Sequence, residues 1–302
     1  MFPPAPTVVA LFGPTGIGKT DVAIALAERL RSDGERPVAV SADALQLYAG
    51  LEILTGAASP TQRARLEHRL LGVFPVTETA SAGRYAALAH SEIDSLLAEG
   101  RRPIVVGGTG LYLRAALADL DLRPPPAPGV RERWLAELER LGAADLHVTL
   151  HERDPEVSER IAPNDGHRIV RALELLDSGI RPADGAQLWT SETRHPTFLA
   201  GMTLNREALG RRIDSRIDAM VAAGAAEEVR RAVRAGASVT ARKALGFEEL
   251  LHGDVEGLKR RTRAYARRQL TWMRKLPGVA LLDVSESDAR AIAVRIEGMM
   301  RT

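Results

Sequence analysis

Residues 7–31 read TVVALFGPTGIGKTDVAIALAERLR, and the order of patterns in that stretch decides the fold. TVVALF (7–12) is a short, β-rich apolar run, as expected of a strand covered on both faces. From Asp21 onward Val22, Ile24, Ala25, Leu26 and Leu30 recur at helical spacing. Between the two, Gly13-Pro14-Thr15-Gly16-Ile17-Gly18-Lys19-Thr20 fits G-x-x-x-x-G-K-[ST], a phosphate loop of the ATP- and nucleotide-binding type. The strand before it and the helix after it are the setting that motif requires. Its glycines permit positive φ and a close backbone approach, so that successive N–H groups and the helix N-terminus point at an anion. Lys19 adds a point charge for a terminal phosphate, and the Thr20 hydroxyl is a candidate ligand for Mg²⁺.

The reading extends outward from there. Residues 37–41 (PVAVS) look like a second buried strand that ends near Asp43. Residues 103–106 (PIVV) look like a third, preceded by a helix-like stretch at 82–97 and followed by Gly107-Gly108-Thr109-Gly110. Alternating short strands and helices predict an α/β fold, a P-loop NTPase-like parallel sheet flanked by helices. Ligands of such sheets sit beyond the carboxyl ends of the strands, so loop 13–20, Asp43 and Thr109 are expected to face one crevice. The proline-rich stretch LRPPPAPG (122–129) then breaks the pattern as a hinge. Helical spacing dominates 130–141, 144–150, 155–161 and 167–178; a strand is expected at 198–204 and long helices at 209–223, 225–235 and 258–276. The expected organisation is a core of residues 1–120 and 195–302, ending in C-terminal helices, with a helical insertion domain at 121–194. There is no internal repeat.

Composition narrows the function. With 45% hydrophobic residues the 302-residue chain can bury a full core, yet no run approaches the ~18 uncharged apolar residues of a membrane span. The first twelve residues lack a basic n-region, so no cleaved export signal and no membrane partner are expected, and a cytoplasmic monomer is. The absence of cysteine excludes disulfides and thiolate metal sites, and the seven histidines, His68 among them, follow no metal spacing and read as structural or surface residues. The net charge of +2 does not announce a polyanionic partner, but its distribution does more. Lys259, Arg260, Arg261, Arg263, Arg267, Arg268, Arg274 and Lys275 fall within 17 residues that contain no acid. Such a cluster neutralises several phosphates of a nucleic acid, or forms a solvated helix face.

Other motifs remain open when read alone. The strand at 104–106 ends in glycines and threonine, so the acid that an NTPase adds for Mg²⁺ has its nearest candidate in Asp43. Asp43 suits an indirect Mg²⁺ ligand, a general base or a turn cap. With Gln46 just after it, the pair suits the edge of a nucleobase. Thr109 offers a hydroxyl at another strand end, or marks a tight strand-to-helix turn. Arg168 and Arg171, three apart, make a phosphate-facing patch or ordinary surface charge. Arg212 and Arg216, one turn apart, could grip a diphosphate or pair with Asp214 and Asp218.

Taken together, the segments resemble the tRNA dimethylallyltransferase family, the IPP transferases, which prenylate N6 of the adenosine next to the anticodon (tRNA position 37). The resemblance rests on GPTGIGKT (13–20), SADALQLYAGLEILTG (41–56), VGGTGLYL (106–113), PNDGHRIVRALEL (163–175) and TRAYARRQLTWMRK (262–275). The shorter EHRLL (67–71), RRIDSRIDAM (211–220) and ALGFEEL (244–250) also fit, and the cysteine-bearing zinc finger of eukaryotic members is absent. The resemblance implies that Asp43 is the base toward the adenine amine, with Ala44, Leu45 and Gln46 reading the base. It implies that loop 13–20 holds the diphosphate of dimethylallyl diphosphate with Mg²⁺, and that Arg216 and Thr109 line the reacting centre. It places Arg131, His167, Arg168, Ile169, Val170, Arg171, Lys243, Ala244, Leu245, Gly246, Phe247 and Glu248 against tRNA, with the helical insertion on the anticodon stem-loop. Two departures stand out. Ala44 replaces the serine that usually follows the aspartate. The family's G-T-A-K stretch appears as Thr55-Gly56-Ala57-Ala58, without its lysine, while the aspartate of the preceding pattern falls on Glu52 or Leu54 according to the alignment.

Three other classes fit parts of the chain. A P-loop kinase would use the loop for ATP, with an arginine-rich lid in place of the insertion, and an adenylate prenyltransferase would modify a free nucleotide, which needs neither the basic helix nor the insertion. A nucleotide-switch protein that binds RNA without chemistry would leave Asp43 and Gln46 unexplained.

Overall fold

The structure, a computed structural model, describes residues 7–285 and 287–301. Strand β1 (Val8–Phe12) is buried throughout and runs through the phosphate loop into α1 (Lys19–Ser32). Strand β2 (Pro37–Ser41) is equally buried. Short elements follow: β3 (Tyr48–Ala49), α2 (Glu52–Thr55), α3 (Pro60–Arg65), β4 (His68–Arg69) and β5 (Phe74–Pro75). Helix α4 (Ala82–Ala98), capped by the Ser81 side chain, leads to β6 (Arg102–Gly107) and α5 (Gly110–Leu117).

The chain divides into two compact units. One holds the described residues up to Asp119 and from Trp189 onward; the other is Leu120–Leu188. The second consists of α6 (Val130–Leu141), α7 (Ala143–Arg153), α8 (Pro155–Glu159) and α9 (Gly166–Asp177). Leu146, Leu150, Val157, Ile169, Val170 and Leu173 form its core, with Trp134 and Leu138 packed against them. Aspartates start its last two helices: Asp154 accepts from the Val157 N–H and Asp165 from the Arg168 N–H. Residues 189–194, read from sequence with the insertion, group with the sheet unit. Arg114 donates to the Glu192 carbonyl and the Thr190 hydroxyl, and Arg194 pairs with Asp94 and Asp119.

The first unit resumes with β7 (Thr197–Thr203), α10 (Arg206–Ala222), α11 (Ala225–Arg234), α12 (Phe247–Leu251) and α13 (Val255–Lys275). It ends in β8 (Ala280–Asp283) and α14 (Ala289–Met300). The main sheet is wholly parallel, in the order β4-β2-β6-β1-β7-β8. Its apolar strands are covered by helices, which is why β1 and β2 carry unbroken rather than alternating hydrophobic runs. The register brings the ends of the three middle strands level, with Ser41 opposite Val106 and Phe12 opposite Gly107. The loops carrying the phosphate motif, Asp43 and Thr109 therefore leave one edge of the sheet side by side.

Candidate active site

The phosphate loop owes its shape to its glycines. Gly16 and Gly18 take φ of 80° and 97°, a left-handed region open to glycine at little cost, and α1 begins directly after Gly18. Lys19 Nζ folds back onto the carbonyls of Gly13 (2.9 Å) and Pro14 (3.0 Å), which holds its ammonium over the loop. Burial pushes the Lys19 pKa down to about 8; nearby Asp43 pulls it up and Arg216 presses it further down. Arg216, on α10, donates to Thr15 Oγ1 (3.1 Å) and to the Thr55 carbonyl (3.2 Å). Burial lowers its pKa while Asp43 raises it. A Cβ on Gly56, whose φ is 57°, would overlap this guanidinium, so glycine there makes room for the arginine. The same helix turns its acids away from the loop: Asp214 pairs with Arg263 and Asp218 with Lys259 (2.7 Å).

Asp43 stands at the end of β2, where Oδ1 accepts from the Leu45 N–H (3.0 Å). Gln46 is oriented by the Ser41 hydroxyl (3.0 Å to Oε1) and by the Gly56 carbonyl (3.4 Å from Nε2). Thr109, at the end of β6, shares a hydrogen bond of 3.0 Å with the Tyr265 hydroxyl of α13. Burial raises the Tyr265 pKa to about 12, which keeps that phenol neutral.

These groups border two adjoining spaces of opposite character. One is a polar cleft of about 330 Å³ lined by Lys19, Thr20, Asp21, Ser41, Gln46 and Gln269. The other is an apolar pocket walled by Leu45, Leu54, Ile213, Ile217, Met220 and Leu258. Thr15, Asp43, Thr55 and Arg216 line both, so the charged groups sit where the two meet.

The remaining candidates are dispersed. Arg131 lies bidentate on Glu174 (2.6 and 3.0 Å), a carboxylate with no exposed surface, and Arg171 joins it at 3.1 Å. Arg171 also donates to the carbonyls of Arg123 and Pro124, tying the proline-rich hinge to α9. The side chains of Ile169 and Val170 belong to the core of the helical unit and those of Ala244 and Phe247 to the core of the sheet unit, which leaves His167, Arg168 and Lys243 exposed. Leu245 lines the apolar pocket.

Several residues at the site are not among the candidates read from the sequence. Gln269 Oε1 accepts from the Thr15 N–H (2.9 Å) and ties α13 to the phosphate loop. His68, read from sequence as structural or surface, lines the polar cleft with Nδ1 on the Leu66 carbonyl (2.7 Å). Glu228 of α11 is buried and accepts from the N–H groups of Ile53 (3.0 Å) and Leu54 (2.8 Å), fixing the turn that offers its carbonyls to Arg216 and Gln46. Gln269 lies within the segment 262–275 that carries the family resemblance but is not singled out there, and Glu228 is marked only by helical periodicity, on the inward face of an otherwise charged helix.

A phosphate loop at the carboxyl end of a parallel sheet, in a polar cleft that adjoins an apolar pocket at Thr15, defines a P-loop protein. The chain belongs to the IPP transferase family, whose model matches residues 46–276. It is 41% identical to the tRNA dimethylallyltransferase of Thermobifida fusca (strain YX), with 96% of this chain and 95% of that one covered. The full-length tRNA isopentenylpyrophosphate transferase of Bacillus halodurans superposes with a TM-score of 0.69 at 29% identity, over 97% and 96% of the two chains. A eukaryotic dimethylallyltransferase acting on tRNA gives 0.73 at 25% identity, over 92% and 74%. The alternatives, a P-loop kinase or an adenylate prenyltransferase acting on free nucleotide, are not favoured by these relationships.

Proposed function

We propose that this chain transfers a dimethylallyl group from dimethylallyl diphosphate to N6 of the adenosine next to the anticodon of tRNA, releasing diphosphate. The observation that carries this reading is the junction of the polar cleft and the apolar pocket at Thr15, Asp43, Thr55 and Arg216. The diphosphate fits the cleft, the five-carbon tail fits the pocket, and the reacting carbon then falls beside Asp43.

The adenine N6 amine is a weak nucleophile because its lone pair is delocalised into the ring. A base that takes its proton as the new C–N bond forms is worth typically ~10²–10⁴-fold. Asp43 fills that role: its Oδ1 is held by the Leu45 N–H, and Oδ2 is left for the amine. As the allylic C–O bond breaks, its electron pair leaves with the diphosphate. Loop N–H groups, Lys19 and Arg216 are the preorganised donors that stabilise the growing charge. Thr109 and Tyr265 border the reacting centre, and Gln46 and its neighbours read the base, which must leave its stack to enter.

Mg²⁺ suits this donor set. Among the described residues no cluster of three metal-ligating side chains exists, so the chain builds no dedicated cage. The Thr20 hydroxyl in the cleft matches an ion held mainly by phosphate oxygens and water. Such an ion would neutralise charge on the diphosphate. The exposed His167, Arg168 and Lys243 are assigned to tRNA, and the helical unit to the anticodon stem-loop. Arg131 and Arg171 are assigned to shaping that unit.

No helix among the described residues is long and apolar enough to cross a membrane. The test is incubation with undermodified tRNA, dimethylallyl diphosphate and Mg²⁺, followed by mass spectrometry of the nucleosides. A prenylated adenosine is expected, and Asp43→Ala should abolish it while tRNA affinity stays within about threefold. Wild-type turnover in that variant would remove Asp43 from the role of base. Phosphoryl transfer from ATP to a small acceptor, without prenylation, would choose the kinase instead.

A further inference from the structure

One face of α13 carries Tyr265, Gln269 and Trp272, spaced four and three residues apart, and together they meet the loops that follow β1 and β6. Tyr265 bonds Thr109, Gln269 bonds the Thr15 N–H, and Trp272 packs on Gly110, the residue after Thr109. A Cβ at position 110 would overlap the Trp272 ring, so the indole lies directly against the start of α5. Its outer neighbour is Trp189, with ring centroids 4.5 Å apart and planes inclined by 38°. Trp189 keeps 36% of its surface exposed. Tryptophan is highly buried on average, and its indole offers a large flat face with a polar N–H, so this exposed face is suited to stacking.

The charges along the same helix divide sharply. In its first half Lys259, Arg260, Arg261 and Arg263 face Asp218, Asp254, Glu249 and Asp214. In its second half Arg267, Arg268, Arg274 and Lys275 are exposed, and among the described residues none of them has an acidic partner. Two of them lie over aromatic faces instead. Arg268 is 5.7 Å from the Tyr265 ring, and the Lys275 ammonium is 5.6 Å from that of Trp189. Uncompensated cations beside an exposed indole are what an unpaired nucleic-acid strand requires, a stacking surface for a base and cations for its phosphates.

We propose that Trp189, backed by Trp272, is a stacking platform for an unpaired RNA base beside the target nucleotide, with Arg268, Arg274 and Lys275 on the flanking phosphates. The assignment rests on the reading of the chain as an enzyme of tRNA, and it narrows the footprint of the basic helix to its C-terminal half. Lys275, on a flexible stem, moves from the ring to a phosphate as the base arrives. Trp189 touches neither cleft nor pocket, so it acts on RNA alone.

The experiment compares the full chain with its Trp189→Ala and Trp189→Phe variants, binding a synthetic anticodon stem-loop and a blunt RNA duplex of equal length at matched salt. Loss of a base–aromatic stack is worth about five- to hundredfold. Trp189→Ala should weaken stem-loop binding by about tenfold, Trp189→Phe should keep most of it, and duplex binding should not change. Affinity for inorganic pyrophosphate should be unaltered in both, which checks the fold. Undiminished stem-loop affinity in Trp189→Ala, or an equal loss for duplex, overturns the platform. Reversing Arg274 and Lys275 to glutamate should flatten the dependence of stem-loop affinity on salt by about 0.7 in log–log slope per cation. An unchanged slope would take these two residues off the phosphates. Prenyl transfer is scored separately: an inactive wild type that still binds the loop through Trp189 sinks only the proposed reaction, and an active enzyme indifferent to Trp189 sinks only the platform.

Discussion

Arginines in the two units meet opposite fates, although their sequence settings look alike. Arg216 follows a helical R-x-x-x-R spacing and Arg171 a helical R-x-x-R spacing, and each pair leaves a grip on phosphate and ordinary charge pairing open. In the sheet unit the described partners of Arg216 are neutral oxygens, the Thr15 hydroxyl and the Thr55 carbonyl, at the edge of a cleft. In the helical unit Arg131 and Arg171 converge on Glu174, which has no exposed surface. A guanidinium held by neutral acceptors keeps its charge for an incoming anion. One spent on a buried carboxylate holds the fold, because removing it strands a charge away from water. The partner, rather than the arginine or its spacing, decides the role.

The comparison can be broken by making the same substitution in both places. Arg216→Met should lower kcat by about 10²–10³-fold, the scale of losing one preorganised donor to a developing charge, with melting temperature nearly unchanged. Arg131→Met should do the reverse and cost about 2–3 kcal/mol of stability, read by urea unfolding. That is less than for an isolated buried charge, because Arg171 stays on Glu174 and the Arg131 side chain is already 41% exposed. If Arg131→Met folds as firmly as wild type but loses tRNA affinity, the contrast between the two units fails.

Glu228 sharpens it further. Its carboxylate holds the Ile53 and Leu54 N–H groups, and the next two carbonyls receive Arg216 and Gln46. It acts as a positioning residue that aims Arg216 without touching substrate. Glu228→Gln can serve one N–H and presents a donor to the other, so kcat should fall about tenfold with little change in KM. In an Arg216→Met background the same change should have almost no further effect on kcat. Additive losses in that cycle would make Glu228 a general stabiliser instead.

How far the sequence discloses this site depends on how far apart its parts lie along the chain. The phosphate loop, Asp43 and Thr109 each follow a short apolar strand, and a parallel sheet brings such strand ends together, so their shared crevice is legible from residue order. Gln269 reaches Thr15 across 254 positions and Glu228 reaches Leu54 across 174; no local pattern encodes either meeting. The apolar pocket is equally silent, because Ile213, Ile217 and Leu258 follow the same helical spacing as any core residue. Strands β4 and β8 lie at the two edges of the sheet with two and four residues, too short for a periodicity to register. Helix α14 is set by its packing on α1 at the far end of the chain. Of the two departures from family pattern, Ala58 lines the polar cleft itself, where the lysine it replaces would have stood, while Lys19, Thr20 and Arg216 keep their places around it.

Lys19 gives the mildest effect and the most direct reading of the cleft. Its folded pKa of about 8 lies below the ordinary 10.5, chiefly through burial. Between those two values the unfolded chain binds more protons than the folded one, so this group makes stability rise with pH there and weighs against folding fully below about 8. Anion binding has the opposite sign. A bound diphosphate favours the ammonium, so affinity should be flat up to about pH 8 and then fall, approaching tenfold per pH unit as the free protein loses that proton. Calorimetric titration with inorganic pyrophosphate between about pH 7 and 9.5 measures this, with Lys19→Arg as the reference so that the ligand's own ionisation cancels. The guanidinium stays charged across that range, so the variant should bind more weakly at neutral pH yet lose less affinity above about 8. Parallel curves for the two proteins would mean that Lys19 does not meet the anion, and the cleft would then owe its charge to Arg216 alone.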